Sequence, residues 1–347
     1  MSIIDLRRWG LLFLALIATC VPMLAAADPS PGVVRIYSSR HYDVDQKLYE
    51  LFTKNAGIKV EHTTAGATEL LEKLQQEGAR SPADILISVD IGNIWRAKAA
   101  GVMAPVESKI LNAAIPATLR DPENEWFGVS KRARVIFYNK AKVKPGEIAT
   151  YEDLADPKWR GRILLRPSSN VYNQSLVASM IASQGEAKAE TWVKGVIANL
   201  AKPPGGNDVE LVRDVGLGKA DVTIANTYYY ARMLQSTKPE MQAAAKAVGI
   251  VFPNQGDRGT HINISGIGMT KAAKNREQAV KFMEFMISPE AQEIFAAANN
   301  EYPVVAGVAE NSTVHNLGEF KSDSLNLSEI GKNSVAAIKV MDRGGWK

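Results

Sequence analysis

Cysteine is almost absent: Cys20 is the only one in 347 residues. It falls in an N-terminal apolar run expected to be removed, so the mature chain is expected to lack both disulfides and thiolate metal ligands. Any metal must then be held by oxygen and nitrogen. Histidine is scarce as well, and His41, His62, His261 and His315 form no close pair of the kind zinc hydrolases use. The formal net charge is only +4, and basic residues are interleaved with acids, as in Glu69, Glu72, Lys73 and Glu77. That pattern describes a solvated surface, not a nucleic-acid stripe. Internal repeats, low-complexity tracts and nucleophile motifs are missing. The cluster Pro203-Pro204-Gly205-Gly206-Asn207 lacks the Gly-Lys-Ser/Thr ending of a nucleotide loop and reads as a surface turn. Scarce histidine and no nucleophile motif argue against an enzyme.

The first residues read as an export signal. Arg7 and Arg8 supply a short basic region, Leu11 to Leu24 is largely apolar, and Ala25, Ala26 and Ala27 offer a small-residue cleavage site before Asp28. Residues 1–27 are therefore expected to be a signal peptide. General secretion is favoured over the twin-arginine route, because Trp9-Gly10 follow the arginines where that pattern prefers other residues. Lipid anchoring at Cys20 is disfavoured by Thr19. Past the leader, no apolar stretch is long enough to span a bilayer.

What the chain does have is an alternation of strand-like and helical patterns. Strands are expected at Val33 to Tyr37, Ile58 to His62, Asp84 to Val89, Val135 to Tyr138, Arg162 to Leu165, Ala220 to Ala225 and Val248 to Phe252. Helices are expected at Gln46 to Asn55, closed by Gly57, and at Thr68 to Glu77, from about Gln174, at Lys271 to Ile287 and at Pro289 to Asn299. The rhythm is α/β and the length suggests two domains. Polar segments at Lys131 to Arg134 and Asp257 to His261 each abut an apolar strand-like run, as hinge strands between two lobes would.

Open α/β sheets bind ligands at the carboxyl ends of their strands. Tyrosines occupy three of those strand-to-helix turns: Tyr42, Tyr172, and the consecutive Tyr228, Tyr229 and Tyr230. Phenol ionises only near pH ~10, so it is a poor ligand for soft metals at neutral pH. A hard trivalent cation such as Fe(III) displaces its proton. The competing reading is packing, or a stacking box for a polyamine, thiamine or sulfate.

The segments Tyr37-Ser-Ser-Arg-His-Tyr42, Pro82-Ala-Asp-Ile-Leu-Ile-Ser-Val-Asp90, Trp126-Phe-Gly-Val-Ser-Lys-Arg-Ala-Arg134, Asn226-Thr-Tyr-Tyr229, His261-Ile-Asn-Ile-Ser-Gly266 and Glu301-Tyr-Pro303 carry a resemblance over nearly all of the mature chain. The chain resembles the ferric-iron-binding periplasmic proteins of bacterial iron ABC transporters, in their tyrosine-rich branch. That resemblance implies a type II periplasmic-binding-protein fold, with two α/β lobes joined by crossing hinge strands and a ligand cleft between them. The lobes are expected at 28–131 with 258–310, and at 132–257 with 311–347. It implies Fe(III) as the transported ligand, held by Tyr42, Tyr172, Tyr228 and Tyr229 with His41 assisting. Tyr230 has no ligand counterpart and is assigned to packing. Four phenolates around Fe(III) leave one negative charge, for which Arg132 and Arg232 are the candidate neighbours. Carbonate or another anion is compatible with Ser168, Ser169 and Asn170 but is not favoured, because Tyr172 supplies direct coordination. The implied partners are an inner-membrane iron permease and its cytoplasmic ATPase, the implied compartment is the periplasm, and the protein is expected to be a monomer.

Overall fold

The computed structural model describes residues 32–40 and 42–347; the expected leader, with Cys20, and His41 lie outside the described residues. Nine strands follow in chain order: β1 (Val33–Ser38), β2 (Lys59–Thr64), β3 (Ile85–Val89), β4 (Met103–Ala104), β5 (Phe127–Asn139), β6 (Ile163–Leu164), β7 (Val222–Asn226), β8 (Val248–Val251) and β9 (Ile262–Thr270). They lie in the order β2-β1-β3-β9-β5-β7-β6, with β4 beside β9 and β8 beside β5. Strands β1, β2 and β3 are mutually parallel in the first lobe, and β6 runs parallel to β7 in the second. Parallel strands need both faces covered, which is why β3 is apolar but for Ser88 and β7 is buried at every residue.

One strand ties the lobes together. Phe127 to Ala133 of β5 pair with β9, whereas Arg134 to Tyr138 pair with β7 and Ile136 to Asn139 with β8. The polar segment Lys131 to Arg134 is therefore the middle of a 13-residue strand, at the point where it changes partners. The other expected crossing, Asp257 to His261, leads into β9, all of whose residues are buried. This is the type II periplasmic-binding-protein architecture: two α/β lobes joined by crossing strands.

Local rules account for most element ends. The helix Asp43–Ala56 stops at Gly57, whose positive φ of 66° lets its N–H reach the Thr53 carbonyl at 3.0 Å. The helix expected from Lys271 begins only at Arg276, because β9 runs to Thr270 and the Asp84 carboxylate accepts the backbone N–H of Lys274 and of Asn275 at 2.9 Å each. The helix Ser334–Arg343 packs on Val171–Gln184 and Glu186–Ala198, while the short helix Leu327–Lys332 touches both Ile91–Ala99 and Val171–Gln184. Among the described residues no helix is long and apolar enough to cross a membrane.

In the second lobe the helices Asp208–Gly216 and Pro239–Ala247 approach so closely that a Cβ on Gly216 would lie 2.2 Å from the Ala244 carbonyl oxygen. Backbone blocks that atom, so a side chain must push the helices apart. Gly216→Ala is expected to destabilise the fold by roughly 1–3 kcal/mol. Denaturant unfolding measures this, and a midpoint equal to wild type would refute the tight contact.

Candidate metal centre

Tyr228, Tyr229 and Tyr230, expected in a strand-to-helix turn, lie in the first turn of the helix Thr227–Leu234, directly after β7. The helix explains how three consecutive phenols separate. Each residue turns the side chain by about 100°, so Tyr230 faces away from Tyr228. Its ring packs 4.9 Å from Phe137 and its hydroxyl donates to the Ala245 carbonyl at 3.1 Å, which makes it a packing residue as expected. The Tyr228 and Tyr229 rings stay together, with centroids 4.1 Å apart.

Tyr172, the second residue of the helix Val171–Gln184, reaches the same place. The Tyr228 hydroxyl donates to the Tyr172 hydroxyl at 3.3 Å. Tyr42 comes from the first lobe, immediately before the helix Asp43–Ala56, where the Asp45 N–H donates to its carbonyl at 2.9 Å. The Arg232 guanidinium lies 5.3 Å from the Tyr42 ring centre and 5.4 Å from that of Tyr228, so the two lobes meet across it. A polar pocket of about 510 Å³ lined by Tyr42, Lys47, Arg232 and Asn299 opens alongside.

Burial pushes all four phenols up. For Tyr172 the value reaches about 12, with the Tyr229 phenol adding to it and Arg132 opposing. Tyr228, fully buried, is raised furthest, first by burial and then by Tyr172, Tyr42 and Tyr229. Tyr42 is raised by burial, Glu301 and Tyr172; Tyr229 by burial and Asp208. Each phenol thus senses the others, and none ionises readily without a strong positive charge among them.

The expected arginines are both here. Arg132 is buried on β5 with its guanidinium 5.9 Å from the Tyr172 ring centre, and Arg134, two residues on, lies at the same distance. Arg232 hydrogen-bonds to the Asn299 side chain and has no carboxylate within ion-pair reach among the described residues.

Sequence reasoning missed Arg40 and Glu301. Arg40 donates through Nε to Asp45 Oδ1 at 3.0 Å and through Nη1 to Glu301 Oε2 at 3.4 Å, and lies 4.8 Å from the Tyr42 ring centre. Glu301 also accepts from Ser130 Oγ at 3.0 Å and from Asn299 Nδ2 at 2.7 Å, with Arg132 Nη1 3.9 Å away. Burial alone would raise its carboxyl; Arg40 and then Arg132 outweigh that and hold it below the ordinary value. Both residues sat inside the motifs quoted above, but their pairing spans 261 positions and no local pattern announces it.

The remaining candidates fall elsewhere. His261 is buried in the crossing segment with neither ring nitrogen bonded among the described residues, and burial with Arg134 and Arg258 lowers it to about 3, so it stays neutral. His62 packs 5.2 Å from the Tyr49 ring, and His315 lies 3.8 Å from Glu310. Asn170 uses its side chain to cap the helix that follows, accepting the Asn173 N–H at 3.3 Å. Three carboxylates, Asp121, Glu123 and Glu125, cluster in the first lobe, but the Lys98 ammonium stands among them, 2.7 Å from Asp121 and 2.9 Å from Glu123.

Residues 80–320 match the model of the family described as bacterial extracellular solute-binding protein. Iron uptake protein A1 of Synechocystis sp. is 52% identical over 314 residues, covering 90% of this chain and 87% of that one. A Trichodesmium FutA (IdiA) structure in complex with iron and citrate is 55% identical with a TM-score of 0.88, covering 91% of this chain and all of that chain. Apo FutA2 from Synechocystis is 45% identical with the same TM-score, covering 92% of this chain and 100% of that one. With its two-lobed fold and its tyrosines gathered from both lobes, the chain belongs to the bacterial extracellular solute-binding proteins, on the branch that holds the iron uptake and ferric-binding proteins.

Proposed function

We propose that this protein is the substrate-binding component of a periplasmic iron ABC importer, capturing Fe(III) between its lobes through the phenolates of Tyr42, Tyr172, Tyr228 and Tyr229. The observation that carries this reading is the convergence of phenols from two lobes: the buried Tyr172 and Tyr228 of the second lobe have hydroxyls 3.3 Å apart, and the half-buried Tyr42 of the first shares the Arg232 guanidinium with Tyr228. The names of the relatives support it independently. His41, beside Tyr42, is the fifth candidate ligand. The protein is exported by a general-secretion signal at 1–27 and works as a monomer. Its lobes are 28–131 with 258–310 and 132–257 with 311–347. Closed and loaded, it presents iron to an inner-membrane permease driven by a cytoplasmic ATPase, and no bond is made or broken in the ligand.

Electrostatics favours iron over a cationic occupant of the stacking-box alternative. Arg132, Arg134 and Arg232 all lie within 6 Å of ligand-tyrosine rings, which repels a cationic amine but suits a centre left with one negative charge. Arg40 is already matched by Asp45 and Glu301, whereas Arg232 has no carboxylate within ion-pair reach among the described residues and is available to balance the ferric tetraphenolate. Four phenolates need no further anion; the N–H donors at Nε and Nη2 of Arg132, which lack partners among the described residues, are where one would be held.

Three outcomes are expected. Titration of the purified protein with ferric citrate produces a visible phenolate-to-iron band, which Tyr172→Phe or Tyr229→Phe shifts while weakening affinity by roughly a hundredfold or more. A colourless wild type would end the proposal. Each phenol loses a proton when it binds, so affinity rises with pH and falls as pH drops, by up to about tenfold per pH unit for every proton released. Because burial already raises these phenols, with Tyr172 at about 12, iron should leave in mild acid; equal affinity at acidic and neutral pH would exclude phenolate ligands. Finally, Arg132→Ala should weaken ferric binding by about 2 kcal/mol, roughly thirtyfold, without unfolding, since Arg40 still faces Glu301. Calorimetric titration beside a thermal melt separates the two effects.

A further inference from the structure

Asp90 stands at the end of β3 with φ 73° and ψ 133°, outside the left-handed helical basin that aspartate tolerates. Such backbone persists only where the surroundings over-determine it, and it concentrates at functional sites. The residue is completely buried and has no ion-pair partner among the described residues. Burial raises its carboxyl to about 6, against the hydrogen bonds that favour the ionised form.

Most of its bonds are local to the first lobe. Its N–H donates to the Ile264 carbonyl of β9 at 2.9 Å, Oδ1 accepts the Gly92 N–H at 2.8 Å, and Oδ2 accepts from Asn263 Nδ2 at 2.8 Å. Asn263 is itself fixed, its Oδ1 accepting the N–H of Ile91 and of Ile264 at 2.8 Å each. One bond is different in kind. Ser175 Oγ donates to Asp90 Oδ1 at 2.5 Å, and Ser175 belongs to the helix Val171–Gln184 on the second-lobe side. Ser175 is three residues beyond Tyr172, one turn along the same helix face. A helix cap on Gly92 explains the cap bond; it explains neither the strained backbone nor a carboxylate shared with a hydroxyl from across the cleft.

We propose that Asp90 is a positioning residue for the iron site: its carboxylate receives Ser175 across the closed cleft and so fixes the helix turn that presents Tyr172. Resting on the ferric reading above, this makes the first lobe contribute to the centre twice. It supplies Tyr42 directly, and through Asp90 it sets where a second-lobe ligand stands. The backbone at Asp90 turns Oδ1 so that it serves its own helix cap and Ser175 together. Opening the lobes separates that pair, and the carboxylate then needs water in place of the hydroxyl.

The test is the rate at which the iron-loaded protein gives up its metal to an excess of a competing chelator, followed by loss of the visible band. Ser175→Ala removes the cross-cleft donor and leaves the Gly92 cap intact; release should accelerate about tenfold, the usual weight of a hydrogen bond to a charged group. Ser175→Thr, which restores the hydroxyl, should return release to near the wild-type rate. The iron-free Ser175→Ala protein should melt with the wild type. Wild-type release from Ser175→Ala, failure of threonine to restore it, or a lowered melt of the iron-free variant would each overturn the positioning role. A wild type that never colours overturns the ferric reading and this inference with it, whereas a coloured wild type with an indifferent Ser175→Ala overturns only the latter.

Discussion

Phenols crowded into a dry cleft resist ionisation, and the arrangement of the site follows from that constraint. Burial raises Tyr42, Tyr172, Tyr228 and Tyr229, and each partner that loses its proton makes the next loss harder. Empty, the cleft therefore keeps neutral hydroxyls; on the ferric reading proposed above, the trivalent ion draws the protons off together. The surrounding guanidiniums assist that step without forcing it, since Arg40, Arg132 and Glu301 neutralise one another in large part before any metal arrives. A buried carboxylate flanked by two arginines is costly to assemble, and removing one of its partners strands a charge.

Much of this was legible from the chain alone. Strand-and-helix alternation identified the fold class, and the hinge position followed from polar residues abutting apolar runs. Tyr42, Tyr172 and the Tyr228 to Tyr230 run could be found because strand-to-helix turns are where open sheets bind ligands. The triplet opens the helix that follows its strand, and helical rotation sends Tyr230 into the core against Phe137 while Tyr228 and Tyr229 stay together.

What the sequence hid are the pairings that span the molecule. Arg40 with Glu301 and Asp90 with Ser175 join residues separated by 261 and 85 positions, and neither spacing has a periodic signature. Likewise β4, two residues long, gives too little alternation to detect, and the start of the helix Arg276–Met286 is set by a distant carboxylate, Asp84. Local pattern finds elements and exposed chemistry; buried polar partners become visible only when the chain is folded.

Arg132 and Arg134 deserve one last look as neighbours on a single strand. They stand two residues apart on the same side of β5, straddling the point where its pairing passes from β9 to β7, and both guanidiniums lie 5.9 Å from the Tyr172 ring. Any flexing of the strand at that point tilts the pair relative to the phenol. Mechanical work done on the hinge would thereby be transmitted as a change in electric field at the Tyr172 hydroxyl. On the proposed ferric reading, prying the two halves apart would loosen the metal from the fulcrum outward.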